Sequence, residues 1–156
     1  MGKLLSYIVH VLIFAGALGI GGLFTSRGLA TGWYGNLNLP PWQPPSWTFG
    51  AAWTTIMLTF PVAMAYLLPL DKLTSSAPIL ALFVAQWILN VLWNYLFFTL
   101  HQTGISLVEI TLLAVVVGAL TYFSFRAHWV AGFACLPYLI WLCIATSLNA
   151  YIWKMN

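Results

Sequence analysis

Five apolar stretches, 4–24, 46–68, 78–98, 105–125 and 130–152, follow one another along the chain with little between them. Each comes close to the ~20 residues that carry an α-helix across a bilayer. Only 4% of the residues are charged and 62% are hydrophobic. Soluble domains carry about 25% charged residues, so this chain cannot clothe an aqueous surface and needs lipid around it. These features predict an all-α integral membrane protein, a five-transmembrane-helix bundle, with 1–156 forming a single domain. The first stretch exceeds the ~7–15 apolar residues of a signal peptide and reads as a span.

Charge excludes one class of partner. The five basic residues, Lys3, Arg27, Lys72, Arg126 and Lys154, are scattered near the ends of apolar stretches. That is where interfacial anchors sit, and no basic run offers a nucleic-acid footprint. With five spans the termini lie on opposite sides. Lys3, Lys72 and Arg126 share the N-terminal side against Arg27 and Lys154 on the other, which places the N-terminus in the cytoplasm by the positive-inside rule.

Chemistry-bearing sets are sparse. Cys135 and Cys143 fall eight residues apart on one helix, roughly 12 Å at ~1.5 Å per residue, too far for a disulfide. No Cys/His spacing suits a metal. Glu109 is the one carboxylate at membrane depth, so no acid pair exists for general acid–base work. It lies about one turn from the break at 101–104 and reads as snorkelling to the interface or as structural, with a ligand or proton role as the alternative. His10, His101 and His128 read as interfacial. No serine or threonine has a neighbouring base, and no catalytic residue is assigned.

The break at 27–45 differs from the others. It holds Gly28, Gly32, Gly35, Pro40, Pro41, Pro44 and Pro45, with Trp33, Tyr34 and Trp42 among them. Prolines fix φ and keep the preceding residue out of the helical region, so this loop is stiff and extended. It is either a lid over one bundle end or part of an interfacial aromatic belt. The short remaining breaks make consecutive helices antiparallel neighbours. Pro61 should kink the second helix. Ala15, Gly19 and Gly22 in the first helix, and Ala114 and Gly118 in the fourth, form small-residue faces that serve internal packing or a dimer.

Polar and indole groups recur at helical spacing. Gln86, Asn90 and Asn94 are four apart on the third helix, with Trp93 and Phe97 beside them. Pro137, Trp141, Ala145, Asn149 and Trp153 are four apart on the fifth, and Trp53 and Met57 on the second. Turned inward, the strips enclose an apolar slot with a few amides, suited to a flat ligand bearing one or two acceptors. Alternatively the amides bond across helices and the rings fill the core. Leu148, Tyr151 and Lys154 fit the loose sterol-contact pattern, which is common by chance.

Three blocks then carry a resemblance. They are Trp33-Tyr34-Gly35-Asn36-Leu37-Asn38-Leu39-Pro40-Pro41-Trp42-Gln43-Pro44-Pro45 with Phe49 and Trp53; Leu89-Asn90 with Trp93-Asn94 and Leu96-Phe97-Phe98; and Pro137-Tyr138 with Trp141, Ala145-Thr146 and Leu148-Asn149. In this order they resemble the TspO/MBR family of tryptophan-rich sensory proteins and translocator proteins, over essentially the whole chain. The resemblance implies a five-helix homodimer in a bacterial inner membrane or a mitochondrial outer membrane. It implies no required cofactor; porphyrins (protoporphyrin IX, haem) are ligands, together with isoquinoline carboxamides, benzodiazepines and cholesterol. The implied pocket, under the first loop, takes Tyr34, Pro44, Trp53, Asn90, Trp93, Trp141 and Ala145, with Trp53 and Asn90 donating to a ligand carbonyl. Light- and oxygen-dependent porphyrin breakdown is the alternative function. Two positions depart from the family: Leu39 stands where Lys is frequent, and Asn94 where Ser is. The first removes a charge near the pocket mouth.

Overall fold

The computed structural model describes residues 2–156. Five helices follow in order: α1 Lys3–Ala30, α2 Ser46–Leu67, α3 Ala77–Asn94, α4 Thr103–Ala127 and α5 Trp129–Met155. All five, counting α3 together with the turn that prolongs it, are long and apolar enough to cross a membrane, and no strand occurs among the described residues. A helix satisfies its own backbone N–H and C=O groups, which hydrocarbon cannot do for it. The protein is a multi-pass integral membrane protein.

The helices close into a ring. α1 packs on α2 and α3, α2 on α5, α5 on α4, and α4 on α3, with α4 and α5 the most extensive pair. Most consecutive helices are neighbours, as short connections dictate. The exception is α2 and α3, which share no extensive packing because α1 stands between them. Pro69 and two tight turns, Leu70–Lys72 and Thr74–Ser76, carry the chain across that end. Leu70 N–H donates to Ser6 Oγ at 3.2 Å and pins the crossing to the first turns of α1.

Glycine sets how closely α1 approaches α3. A Cβ at Gly21 would lie 2.8 Å from Asn94 Nδ2, and one at Gly28 would collide with the Phe98 carbonyl oxygen. Thr25 Oγ donates to Asn94 Oδ1 at 2.8 Å across the same contact. Small residues thus let two backbones meet where lipid supplies no hydrophobic drive. Gly19 has open space around it on the outer face.

Several elements depart from the sequence reading. α1 runs past the apolar stretch to Ala30, so Arg27 and Gly28 are helical and the first loop begins at Thr31. α3 ends in a π-turn, Tyr95–Thr99, with Leu100 N–H bonded to the Tyr95 carbonyl. His10 faces into the bundle. It is 3% exposed, its Nδ1 is 2.6 Å from the Ser6 carbonyl, and its ring meets Phe83 edge-on. Glu109 does not snorkel to the interface. It is buried on the inner stripe of α4 with Ser106 and Leu113.

The half of the bundle away from the first loop is solid. Phe14, Phe60 and Tyr138 pack mutually, Phe83 stacks on Phe60, and Ile56 and Met64 fill around them. At that end Lys3 lies over the Tyr66 ring, Tyr66 stacks on His128, and His128 Nδ1 accepts from Val130 N–H to cap α5.

Replacing Gly28 by Leu should lower stability in detergent by about 1–3 kcal/mol, since the added side chain has no space to enter. Gly19→Leu meets nothing within its own bundle and should cost less than Gly28→Leu. Thermal melts of both variants in one detergent check this.

Candidate ligand-binding site

The half of the bundle beneath the first loop is hollow. A cavity of about 450 Å³ lies there, and all five helices line it. α2 contributes Phe49, Gly50 and Trp53; α3 gives Asn90, Trp93 and Asn94; α5 gives Trp141, Leu142 and Ala145. α4 adds Ile110 and Leu113, and α1 adds Leu18, Gly22, Thr25, Ser26 and Leu29. Of these, Gly22, Ser26, Leu29 and Gly50 are exposed, so the mouth opens between α1 and the first turns of α2.

Three indoles form the walls. Trp141 is held edge-on by Phe49 at 5.2 Å between ring centroids, and Trp53 meets Tyr138 edge-on at 6.0 Å. Trp93 stacks on Phe97 at 5.0 Å. Its N–H is spent on Asn149 Oδ1 at 3.0 Å, so Trp93 offers the cavity a ring face and no donor. Ala145 leaves the wall of α5 low between Trp141 and Asn149.

The amides divide into two jobs. Asn149 is 1% exposed and lies outside the cavity wall. Its Oδ1 accepts from Trp93 and from Ser106 Oγ, and its Nδ2 donates to the Thr103 carbonyl at 2.8 Å, tying α3, α4 and α5 together. Asn94 donates to the Asn90 carbonyl and accepts from Thr25. Asn90 stays on the wall. Its Nδ2 donates to Tyr138 Oη, and its Oδ1 has no partner among the described residues.

The first loop lies across this end of the bundle. Trp33 stacks on His101 at 4.1 Å, and Tyr34 packs against Phe97 and Phe98. Trp42 meets Tyr151 edge-on, and Asn38 N–H donates to Asn156 Oδ1 at 2.8 Å. Gln43 Nε2 donates to Tyr34 Oη at 2.8 Å. Burial pushes the Tyr34 phenol up from its ordinary pKa, and the Gln43 bond pulls it partly back. The phenol therefore stays protonated at neutral pH.

The structure brings Trp53, Asn90, Trp93, Trp141 and Ala145 together around the cavity. Tyr34, Pro44, Met57 and Phe97 are not on its wall. The wall strip of α3 runs on from Asn90 and Asn94 to Phe98, four residues further, while Phe97 packs under Trp33 and Tyr34. Met57 lies one turn further toward the solid half, against the core. Of the residues of the loose sterol pattern, Leu148 is buried, Tyr151 is half-buried with Trp42 edge-on to its ring, and Lys154 is exposed. The lining from α1 was missed, because its small residues read as packing. The Gly22, Thr25, Ser26 cluster in an otherwise apolar helix is the signal that marks it. Cys135 and Cys143 are both free, and among the described residues no group of His, Cys, Asp and Glu could hold a metal.

The chain matches the family model for the TspO/MBR family over residues 8–154. It is 34% identical over 154 residues to the tryptophan-rich protein TspO of Archaeoglobus fulgidus, covering 99% of this chain and 97% of that one. To the protein CrtK of Rhodobacter capsulatus it is 32% identical over 125 residues, covering 80% and 78%. To the translocator protein of Homo sapiens it is 33% identical over 127 residues, covering 80% and 75%.

Asn149→Ala should destabilise the protein by about 1–3 kcal/mol, because it strands the Trp93 N–H, whereas the Ser106 hydroxyl keeps the Thr103 carbonyl as an acceptor. Ser106→Ala removes only one arm and should cost less. Detergent melts of the two variants beside the parent give the ranking.

Proposed function

This chain belongs to the TspO/MBR family, and from that membership we propose that it is a membrane receptor of the sensing or translocating kind for flat, largely apolar ligands of the tetrapyrrole class. Isoquinoline carboxamides and benzodiazepines, rigid aromatic molecules with a carbonyl acceptor, fit the same description. The observation that carries the reading is the hollow half of the bundle, where three indoles and one incompletely bonded amide surround about 450 Å³. Large aromatic walls with few polar groups suit a ligand that is broad, planar and sparing in hydrogen bonds. Relatives named as a tryptophan-rich sensory protein and as translocator proteins agree with a receptor.

Under this reading Trp53 and Asn90 hold the ligand's polar edge, Trp93 and Trp141 cover its faces, and Ala145 leaves room for a ring. The mouth between α1 and α2 admits a ligand already dissolved in the bilayer, and the first loop closes the cavity from the aqueous side. Phe97 and Tyr34 act through the loop that they hold in place. Leu39 brings no cation to the site, so binding follows shape and stacking more than ligand charge. The outward small residues Ala15 and Gly19 offer a face for a second copy.

Asn90→Ala should weaken protoporphyrin IX or isoquinoline-carboxamide binding about five- to a hundredfold, the value of roughly 1–3 kcal/mol. Ala145→Phe should obstruct the cavity, and Val115→Ala on the outer face should do little. Tryptophan quenching on folded variants reads all three. Parent-like binding by both Asn90→Ala and Ala145→Phe would move the ligand elsewhere. Illuminating the porphyrin complex in air separates a receptor, which returns porphyrin unchanged, from an enzyme, which consumes it.

A further inference from the structure

One end of a buried polar chain lies on the cavity wall. Asn90 Nδ2 donates to Tyr138 Oη at 2.8 Å, and Tyr138 O–H donates to Gln86 Oε1 at 3.2 Å. Gln86 and Tyr138 are wholly buried and Asn90 is 3% exposed. Both ends are incomplete: Asn90 Oδ1 and Gln86 Nε2 have no partner among the described residues. Asn90 lines the cavity, whereas Gln86 and Tyr138 do not.

Such a chain has a direction, and the opposite direction is also available. A carboxamide is an acceptor on one side and a donor on the other, and a phenol is both. Turning each amide over about its last torsion leaves every heavy-atom position filled. Gln86 Nε2 then donates to Tyr138, and Tyr138 O–H donates to Asn90 Oδ1. Two hydrogen bonds exist either way. What changes is the Asn90 group turned away from Tyr138: a carbonyl acceptor in one direction, an N–H donor in the other.

We propose that Gln86, Tyr138 and Asn90 form a reversible hydrogen-bond relay that lets the cavity present either an acceptor or a donor to its ligand. Gln86 and Tyr138 are positioning residues in this scheme, and Asn90 is the group that meets the ligand. The relay widens ligand choice to molecules that offer a carbonyl and to molecules that offer a ring N–H, a mixture that a fixed donor would reject. A site with a fixed polar group discriminates strongly, because the wrong ligand leaves a buried group unpaired. A reversible one does not. The inference rests on the cavity being the ligand site.

The test uses two planar tricycles of similar size, 9-fluorenone with a carbonyl acceptor and carbazole with an N–H donor. Gln86→Met removes the far acceptor while keeping volume. The Tyr138 hydroxyl, a better donor than acceptor, then turns to Asn90 Oδ1 and fixes the donor form. The affinity ratio of fluorenone to carbazole should rise about fivefold or more. Gln86→Leu should do the same if the Met variant folds poorly. In a Tyr138→Phe background the link is cut, and Gln86→Met should move the ratio less than about twofold. Binding of neither probe by the parent would overturn the cavity as the ligand site. Normal binding with an unmoved ratio, or an equal shift in both backgrounds, would overturn the relay and leave the site standing.

Discussion

A polar side chain inside a bilayer has no water to fall back on, and the arrangement of this bundle follows from where each such group finds its partner. Asn149 is the clearest instance. One carboxamide takes the indole N–H of Trp93 and the hydroxyl of Ser106 and gives its own N–H to the Thr103 carbonyl. Apolar packing alone could not fix the rotation of α5 against α3 and α4, because lipid is as good a neighbour as leucine. The directed bonds do fix it. They also set the Trp93 ring flat on the cavity wall.

The same economy separates a solid half from a hollow one. Below, Phe14, Phe60, Phe83 and Tyr138 interlock and leave no room. Above, Trp53, Trp93 and Trp141 stand apart, each against an aromatic neighbour, Tyr138, Phe97 and Phe49 in turn. Tyr138 lies at the boundary, with its ring in the core and its hydroxyl in the polar chain that ends at the cavity. Gly21 and Gly28 draw α1 against α3 and its π-turn, while Gly22 one residue on stays clear at the mouth. Close approach on one side of α1 and an opening on the other come from the same short stretch.

Much of this was legible in the sequence. Bilayer thickness sets span length, so five apolar stretches meant five helices. Backbone satisfaction in hydrocarbon made them helical. Prolines 40, 41, 44 and 45 marked a stiff first loop, and a period of four put Trp53, Asn90, Trp93, Trp141 and Ala145 on facing strips. The strip rule failed at Phe97, which packs under the first loop while Phe98 continues the wall after Asn94, and at Asn149, whose amide works between helices rather than in the cavity. It also failed for α1, whose lining residues Leu18, Gly22, Thr25, Ser26 and Leu29 include no aromatic ring or amide to mark a strip.

What the sequence by itself determined is therefore the number of spans, their helical character, the place of the proline-rich first loop and the family to which the chain belongs. Only the tertiary structure decided the ring order that sets α1 between α2 and α3, the mouth between α1 and α2, the burial of His10 and Glu109, and which amide serves the fold and which the cavity. The physical reason is that in a membrane protein both faces of a helix are apolar. Hydropathy fixes how long each helix is but says little about its rotation, and rotation is settled by the few polar partners and glycine contacts that only neighbouring helices supply.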